Sequence, residues 1–371
     1  MGRVRREQRR TSAVEADGRI ARLRVRAHHI GATTFREAHE VVEWLGAVQA
    51  QDYLGALWAV GLRLRQAGEA DVERALAGRT ILRTWPMRGT LHFVAARDVR
   101  WMLDLMAPRS VARAASRLRE LEIDDGVLAS SRKVLVKALQ GGRQLSRPAM
   151  YRVLQEARIS TAGQRGIHIL WRLAHEGLLC FGPRQGKQQT FVLLEEWVPA
   201  ARRLTREEAL AEVAHRYFTG HGPATLGDFV WWTGLSPADA RLALDLAGSR
   251  LRSEDIDGQT FWLAPRPPLR SPVAPGSLLP GFDELVVGYK DRTALVDPLH
   301  RPRLNPGDNG MLSPTILVGD RILGTWRRTL QRGGVAIEPR PFAPLAAAGQ
   351  RALSGASERY ARFLGLPIVE R

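Results

Sequence analysis

Apolar positions along the chain fall into short helical periods that give way, three times, to alternating runs. In the first set, the helical period covers Phe35–Leu45 and Tyr53–Arg65, and a third short helix, Val72–Ala77, is capped by Asp71. Thr34 is placed to cap the first of these. The runs Leu82–Trp85 and Thr90–Val94 flank Pro86-Met87-Arg88-Gly89 and read as a hairpin. The second set repeats the plan. Its helices are Val127–Leu139, Arg147–Ala157 with Ser146 as cap, and Gly166–Glu176, and its strands are Leu178–Gly182 and Thr190–Leu193 around a basic loop. The third has helices Glu207–Tyr217, Thr225–Trp232 and Pro237–Ala247. Its strands, Arg250–Ser253 and Gln259–Leu263, are joined at Asp257-Gly258, a tight-turn pair. Helix, helix, helix, hairpin is the order of a winged helix, and its return is a repeat of architecture with little residue identity between copies.

Outside the repeats, Val99–Leu121 reads as a connecting helix, and Arg266–Pro275, rich in proline, as a linker. Beyond it come β-like runs at Leu285–Val287, Thr315–Val318, Arg321–Trp326 and Val335–Pro339, then an amphipathic helix, Leu345–Leu364. The expected division is a disordered basic arm over 1–21, three winged helix-turn-helix units over 22–125, 126–200 and 201–265, and a β-rich domain with its terminal helix over 275–371. The fold class is α+β.

Charge adds a partner. The 371 residues carry 55 basic and 38 acidic side chains, a formal net charge of +17, which suits a polyanion. Lysine occurs only at 133, 137, 187 and 290, so the excess is almost all arginine. Cys180 is the single cysteine and the histidines are scattered, so neither a metal site nor another cofactor is expected. No apolar run is long enough to span a bilayer and no secretory signal follows the basic N-terminus, so the expectation is a cytoplasmic protein with no membrane partner.

Candidate chemistry centres on Val48-Gln49-Ala50-Gln51-Asp52, at a join between two helical periods. In an extended segment, amides at i and i+2 project to one side. Such a pair can hold a water, a phosphate or a base edge. The alternative is a polar loop in which Asp52 simply caps the next helix. Trp231-Trp232 and Phe261-Trp262 read as core residues rather than base-stacking platforms.

Several segments in order resemble the AlkZ/YcaQ family of bacterial DNA glycosylases. They are Val48–Asp52, Arg83-Thr84-Trp85-Pro86-Met87-Arg88-Gly89-Thr90-Leu91-His92, Leu279-Pro280-Gly281-Phe282-Asp283-Glu284 with Tyr289-Lys290-Asp291-Arg292, and Gly324-Thr325-Trp326. Each is short; together they are specific and span about Arg22 to Trp326. The resemblance implies three tandem winged helix-turn-helix units forming a concave basic surface for duplex DNA, with a C-terminal β domain. It maps the family's catalytic Gln-apolar-Gln or Gln-apolar-Asp triplet onto Gln49-Ala50-Gln51. Glutamine at 51 is nearer the AlkZ branch, associated with self-resistance to DNA-alkylating natural products. The implied activity is monofunctional hydrolysis of the N-glycosidic bond of alkylated purines such as N7-alkylguanine, including bulky adducts or interstrand cross-links. The implied partner is duplex DNA bearing alkylated bases, with the protein as a monomer. Arg83, Arg88, His92, Lys290 and Arg292 are the candidate DNA contacts. The competing reading is a non-enzymatic winged-helix DNA-binding protein or transcription regulator. Regulators usually carry one such unit per chain and dimerise, whereas three units and an amide pair favour an enzyme.

Overall fold

Helices and antiparallel sheets alternate along the chain in an α+β arrangement. The computed structural model describes residues 2–31, 35–266 and 273–370, with side chains from residue 15 onward. Thr34 and residues 267–272 of the expected linker lie outside the described residues. The N-terminus departs from expectation. In place of a disordered arm over 1–21 there is a helix, Gly2–Ala27. Its last turns are anchored: Ile20, Ala21, Leu23 and Val25 are buried, and the buried Arg24 donates to the Pro223 carbonyl (2.9 Å). Charge density at the chain start hid this apolar tail.

The first set of helices is Ala38–Leu45, Tyr53–Gly61 and Glu69–Ala77. Between the first two the chain does not simply turn. Val48–Gln49 is a strand, β1, and β2 (Ile81–Met87) and β3 (Thr90–Ala95) form the hairpin. β1 pairs antiparallel with β3, Val48 opposite Phe93 and Gln49 opposite His92. Met87 pairs with Thr90, so Arg88-Gly89 is a two-residue turn with φ of 55° at Arg88 and 72° at Gly89. Positive φ at both positions matches the twist of the strands. Glycine adopts it freely; a left-handed arginine costs about 1–2 kcal/mol. What compensates is the work of the Arg88 guanidinium described below.

In the second set, helices Asp125–Leu139, Arg147–Glu156 and Arg165–His175 are followed by β5 (Leu179–Gln185) and β6 (Gln188–Leu193), with β4 (Leu145–Ser146) at the edge. Arg83 of β2 pairs with Phe181 of β5, which fuses both hairpins into one sheet ordered β1-β3-β2-β5-β6-β4. The fusion divides the side chains of the first hairpin. Phe93 and Val94 enter the large core, whereas Trp85 and Leu91 pack with Leu135, Leu170 and Phe191 in the core of the second set. The connector is two helices, Val99–Arg113 and Ala115–Glu120, broken at Ala114.

The third set comprises Arg206–His221, Leu226–Thr233 and Pro237–Ala247, capped by Thr205, Thr225 and Ser236, then β7 (Arg252–Ile256) paired with β8 (Gln259–Leu263). Trp232 and Phe261 are buried as expected, but Trp231 is 42% exposed. The last segment forms a four-stranded antiparallel sheet from β9 (Gly276–Leu279), β10 (Thr315–Val318), β11 (Arg321–Gln331) and β12 (Gly334–Pro341). Helix Ala347–Leu364 packs against it; Tyr360 stands edge-on to both Trp58 and Trp326, which ties the sheet to the first set. The expected strand at Leu285–Val287 is instead a helical turn, Glu284–Val287. Three apolar residues buried on all sides carry no period. The Asp283 carboxylate decides the matter by accepting the Leu285 N–H (2.9 Å) as a cap.

Candidate active site around Gln49 and Gln51

Pairing with β3 sets the backbone of the glutamine segment. Ala50 donates its N–H to the Leu91 carbonyl (2.7 Å), and its own carbonyl accepts from Arg83 Nε (3.0 Å) and Nη2 (2.7 Å). With both Ala50 groups held, the residues on either side project from a fixed support. The small apolar residue between the glutamines is fully buried.

Each carboxamide is held by its oxygen. Gln49 is buried and its Oε1 accepts from Arg88 Nη2 (3.2 Å). Gln51 is exposed and its Oε1 accepts from the Leu91 N–H (3.2 Å). An amide oxygen has two lone pairs, so each retains one for a water or a developing positive charge. Arg88 is itself aimed. Its Nη2 also lies 3.3 Å from His92 Nε2, and His92 Nδ1 faces the Thr90 carbonyl at 3.0 Å. These contacts require a neutral His92 protonated on Nδ1, with Nε2 accepting from Arg88. The electrostatics agree: burial, then the Arg88 charge, pushes the His92 pKa down to about 3.

Beneath the glutamines lies Glu284, fully buried. Its Oε1 accepts the Gln49 backbone N–H (2.8 Å), and its Oε2 accepts from Trp232 Nε1 (2.8 Å) and faces His221 Nε2 at 3.4 Å. Burial pushes its pKa up, but the His221 contact and the nearby Arg88 charge outweigh this and leave it below the ordinary glutamate value. Burial likewise lowers the Arg88 pKa, and Glu284 is the first charge that opposes the fall. Asp283, next in sequence, is equally buried and forms a two-bond pair with Arg63 (2.8 and 2.9 Å), which anchors the Glu284 turn.

Arg83, Arg88, His92 and Glu284 therefore converge on residues 49–51. The sequence-expected DNA contacts divide accordingly. Arg83, Arg88 and His92 are engaged with the protein's own Ala50, Gln49 and Thr90. Arg292 is largely buried, donates Nε to the Val286 carbonyl (2.6 Å), and has its pKa lowered to about 10 by burial. Lys290 is exposed, with its backbone N–H held by Asp228 (2.9 Å). Sequence reasoning missed Glu284, His221 and Trp232. The available signal was a carboxylate directly preceding the apolar run Leu285–Val287, since a charge set in such a run is buried only with partners.

Beside Gln51 opens a cavity of about 760 Å³, against the core of the second set. Its walls include Trp85, Leu91, Trp171, Phe181 and Phe191. Among the described residues no group of three or more His, Cys, Asp or Glu is placed to hold a metal ion, and no helix is long and apolar enough to cross a membrane.

The chain resembles proteins that act on DNA. The interstrand DNA cross-link repair glycosylase of Streptomyces sahachiroi is 28% identical over 331 residues, 82% of this chain and 85% of that protein. The solved structure of Streptomyces sahachiroi DNA glycosylase AlkZ aligns over 95% of this chain and 97% of its own, with a TM-score of 0.78 and 24% identity; that likeness is one of fold. The model of a family described as DNA glycosylase AlkZ-like matches residues 42–363, most of the molecule. This chain belongs to the AlkZ-like DNA glycosylases, hydrolases of N-glycosyl bonds.

Proposed function

We propose that the protein hydrolyses the N-glycosidic bond of N7-alkylated purines in duplex DNA, interstrand cross-links among them, with Gln49 and Gln51 as the catalytic pair. The observation that carries this reading is the fixation of both carboxamide oxygens on one supported segment, by Arg88 and by the Leu91 N–H. Alkylation at N7 makes the base cationic and hence a neutral leaving group, so it needs little acid assistance. The bond from C1′ to the base breaks with its electron pair leaving on the base. A water oxygen then bonds to the oxocarbenium-like C1′ and gives up a proton to solvent. An amide is too weak a base to take that proton in advance, but a preorganised amide oxygen orients the water and stabilises positive charge on the sugar. Gln51, exposed, is assigned to the water; Gln49, held beneath, to the sugar or to that same water. Arg83, Arg88, His92 and Glu284 position the pair.

The three helix-hairpin sets are read as winged helix-turn-helix units around a concave basic surface, with the last sheet as a β domain. Lys290 and the exposed arginines then supply phosphate contacts. The cross-link activity in the name of the Streptomyces sahachiroi relative supports this substrate class. The test is release of free base from duplex carrying N7-methylguanine. Gln51→Ala should slow release about 10²-fold, roughly 2.7 kcal/mol of transition-state stabilisation, while duplex affinity holds. Gln51→Asp should retain some activity. Unchanged release in both Gln49→Ala and Gln51→Ala would remove these residues from the mechanism, and no release by the wild type would favour a DNA binder.

A further inference from the structure

We propose that the cavity beside Gln51 is a binding site for an uncharged aromatic substituent carried by the damaged base. The inference rests on the glycosylase reading above and adds a specificity site to it. Three features point to this occupant. The cavity is continuous with the candidate catalytic residue, since Gln51 itself lines it. Its volume of about 760 Å³ falls within the roughly 300–1,000 Å³ typical of small-molecule sites. Its walls are aromatic: Trp85 and Phe181 lie 5.0 Å apart, as centroids, and Phe181 and Phe191 lie 4.6 Å apart. Trp171, on helix Arg165–His175, forms a further wall and is only half-buried, so part of its ring is open to a guest.

Charge selects among guests. Among the described residues no acidic side chain lines the cavity, whereas Arg83, Arg147, His168 and Lys187 do. A cationic substituent would find the ring faces attractive but would meet four basic side chains with no carboxylate to offset them, which favours a neutral guest. A neutral planar group can stack on the rings, and exposed Arg147 and Lys187 suit the phosphates of the strand that carries it. The positive charge of the damaged base remains outside, at the carboxamide oxygens. Both the first and second sets contribute walls, Trp85 and Leu91 from the one, Trp171 and Phe191 from the other.

The experiment compares duplexes carrying a single N7-methylguanine or N7-benzylguanine, in single-turnover release and in equilibrium binding. Trp171→Ala removes a stacking wall. Ala114→Phe narrows the cavity from the connector side and serves as the second variant if loss of Trp171 impairs folding. In each folded variant the ratio of benzyl to methyl release should fall about tenfold, the range expected for loss of one stacking surface. A ratio unchanged in both variants overturns the proposal. A parallel fall for both duplexes, with weaker binding of undamaged DNA, also overturns it, since the rings would then serve the duplex as a whole. If the wild type releases neither base, the glycosylase reading fails. The cavity proposal then stands only if the benzyl duplex binds more tightly than the methyl duplex and the variants abolish that preference; without the preference it fails too.

Discussion

Replacing Glu284 tests whether its carboxylate supports the glutamine segment from beneath. The carboxylate accepts two buried N–H groups at 2.8 Å, from the Gln49 backbone on Oε1 and from the Trp232 indole on Oε2. Glu284→Gln keeps the shape but leaves only one oxygen. Oriented toward Gln49, it turns its NH₂ toward the Trp232 N–H, donor against donor; His221 Nε2 alone can receive it. One buried N–H thus loses its acceptor, at a cost of about 1–3 kcal/mol. Glu284→Ala strands both donors, so its cost should be about twice as large, roughly 2–6 kcal/mol. An unfolding entropy of about 2.1 cal/mol/K per residue converts each kcal/mol to roughly 1.3 °C in this chain. The expected shifts in melting temperature are therefore about 1–4 °C for Glu284→Gln and about 3–8 °C for Glu284→Ala. Base release should fall more in the alanine variant, because the Gln49 backbone loses its anchor. Thermal melts followed by circular dichroism, with release assays on folded protein, give both numbers. A glutamine variant as destabilised as the alanine variant, or an alanine variant as stable as the wild type, would refute the assignment.

Two further predictions follow from the same neighbourhood. His92 has a folded pKa of about 3 against an ordinary 6.5, so the unfolded chain binds its proton first; its contribution is whole above pH 6.5 and is lost as pH falls toward 3, on the order of 5 kcal/mol over the full window. Glu284, lowered from 4.5, contributes fully above that value, so between pH 7 and 5 the histidines dominate; burial also lowers His28, His29, His175 and His215, and comparison with His92→Gln separates His92 from them. Wild type should lose stability across that range more steeply than His92→Gln, and parallel slopes would exclude His92 as the cause. Arg83→Met removes two charged bonds to the Ala50 carbonyl, and stability should fall by about 1.5–3 kcal/mol per bond at most, together with base release. The salt slope of duplex affinity should not change; a drop of about 0.9 would instead identify Arg83 as a phosphate contact.

Much of this molecule is decided locally. The periods of the three helix sets, the caps at Thr205, Thr225 and Ser236, and the turns at Arg88-Gly89 and Asp257-Gly258 follow from neighbours in sequence, because helices and tight hairpins are closed by short-range bonds. The Gln49–Gln51 pair and the motif ending at Glu284 are likewise legible as residues. Their relationship is not. β1 is a strand only because β3, more than forty residues later, offers its edge. Glu284 supports Gln49 across 235 positions of sequence, and the Arg63–Asp283 pair that anchors its turn spans 220. Whether Arg83 faces DNA or the Ala50 carbonyl depends on burial, which composition does not specify. The cavity beside Gln51 has walls from both hairpins and exists because Arg83 and Phe181 come into register. Pairings of this kind are decided by packing across the whole fold, and only the tertiary structure contains them.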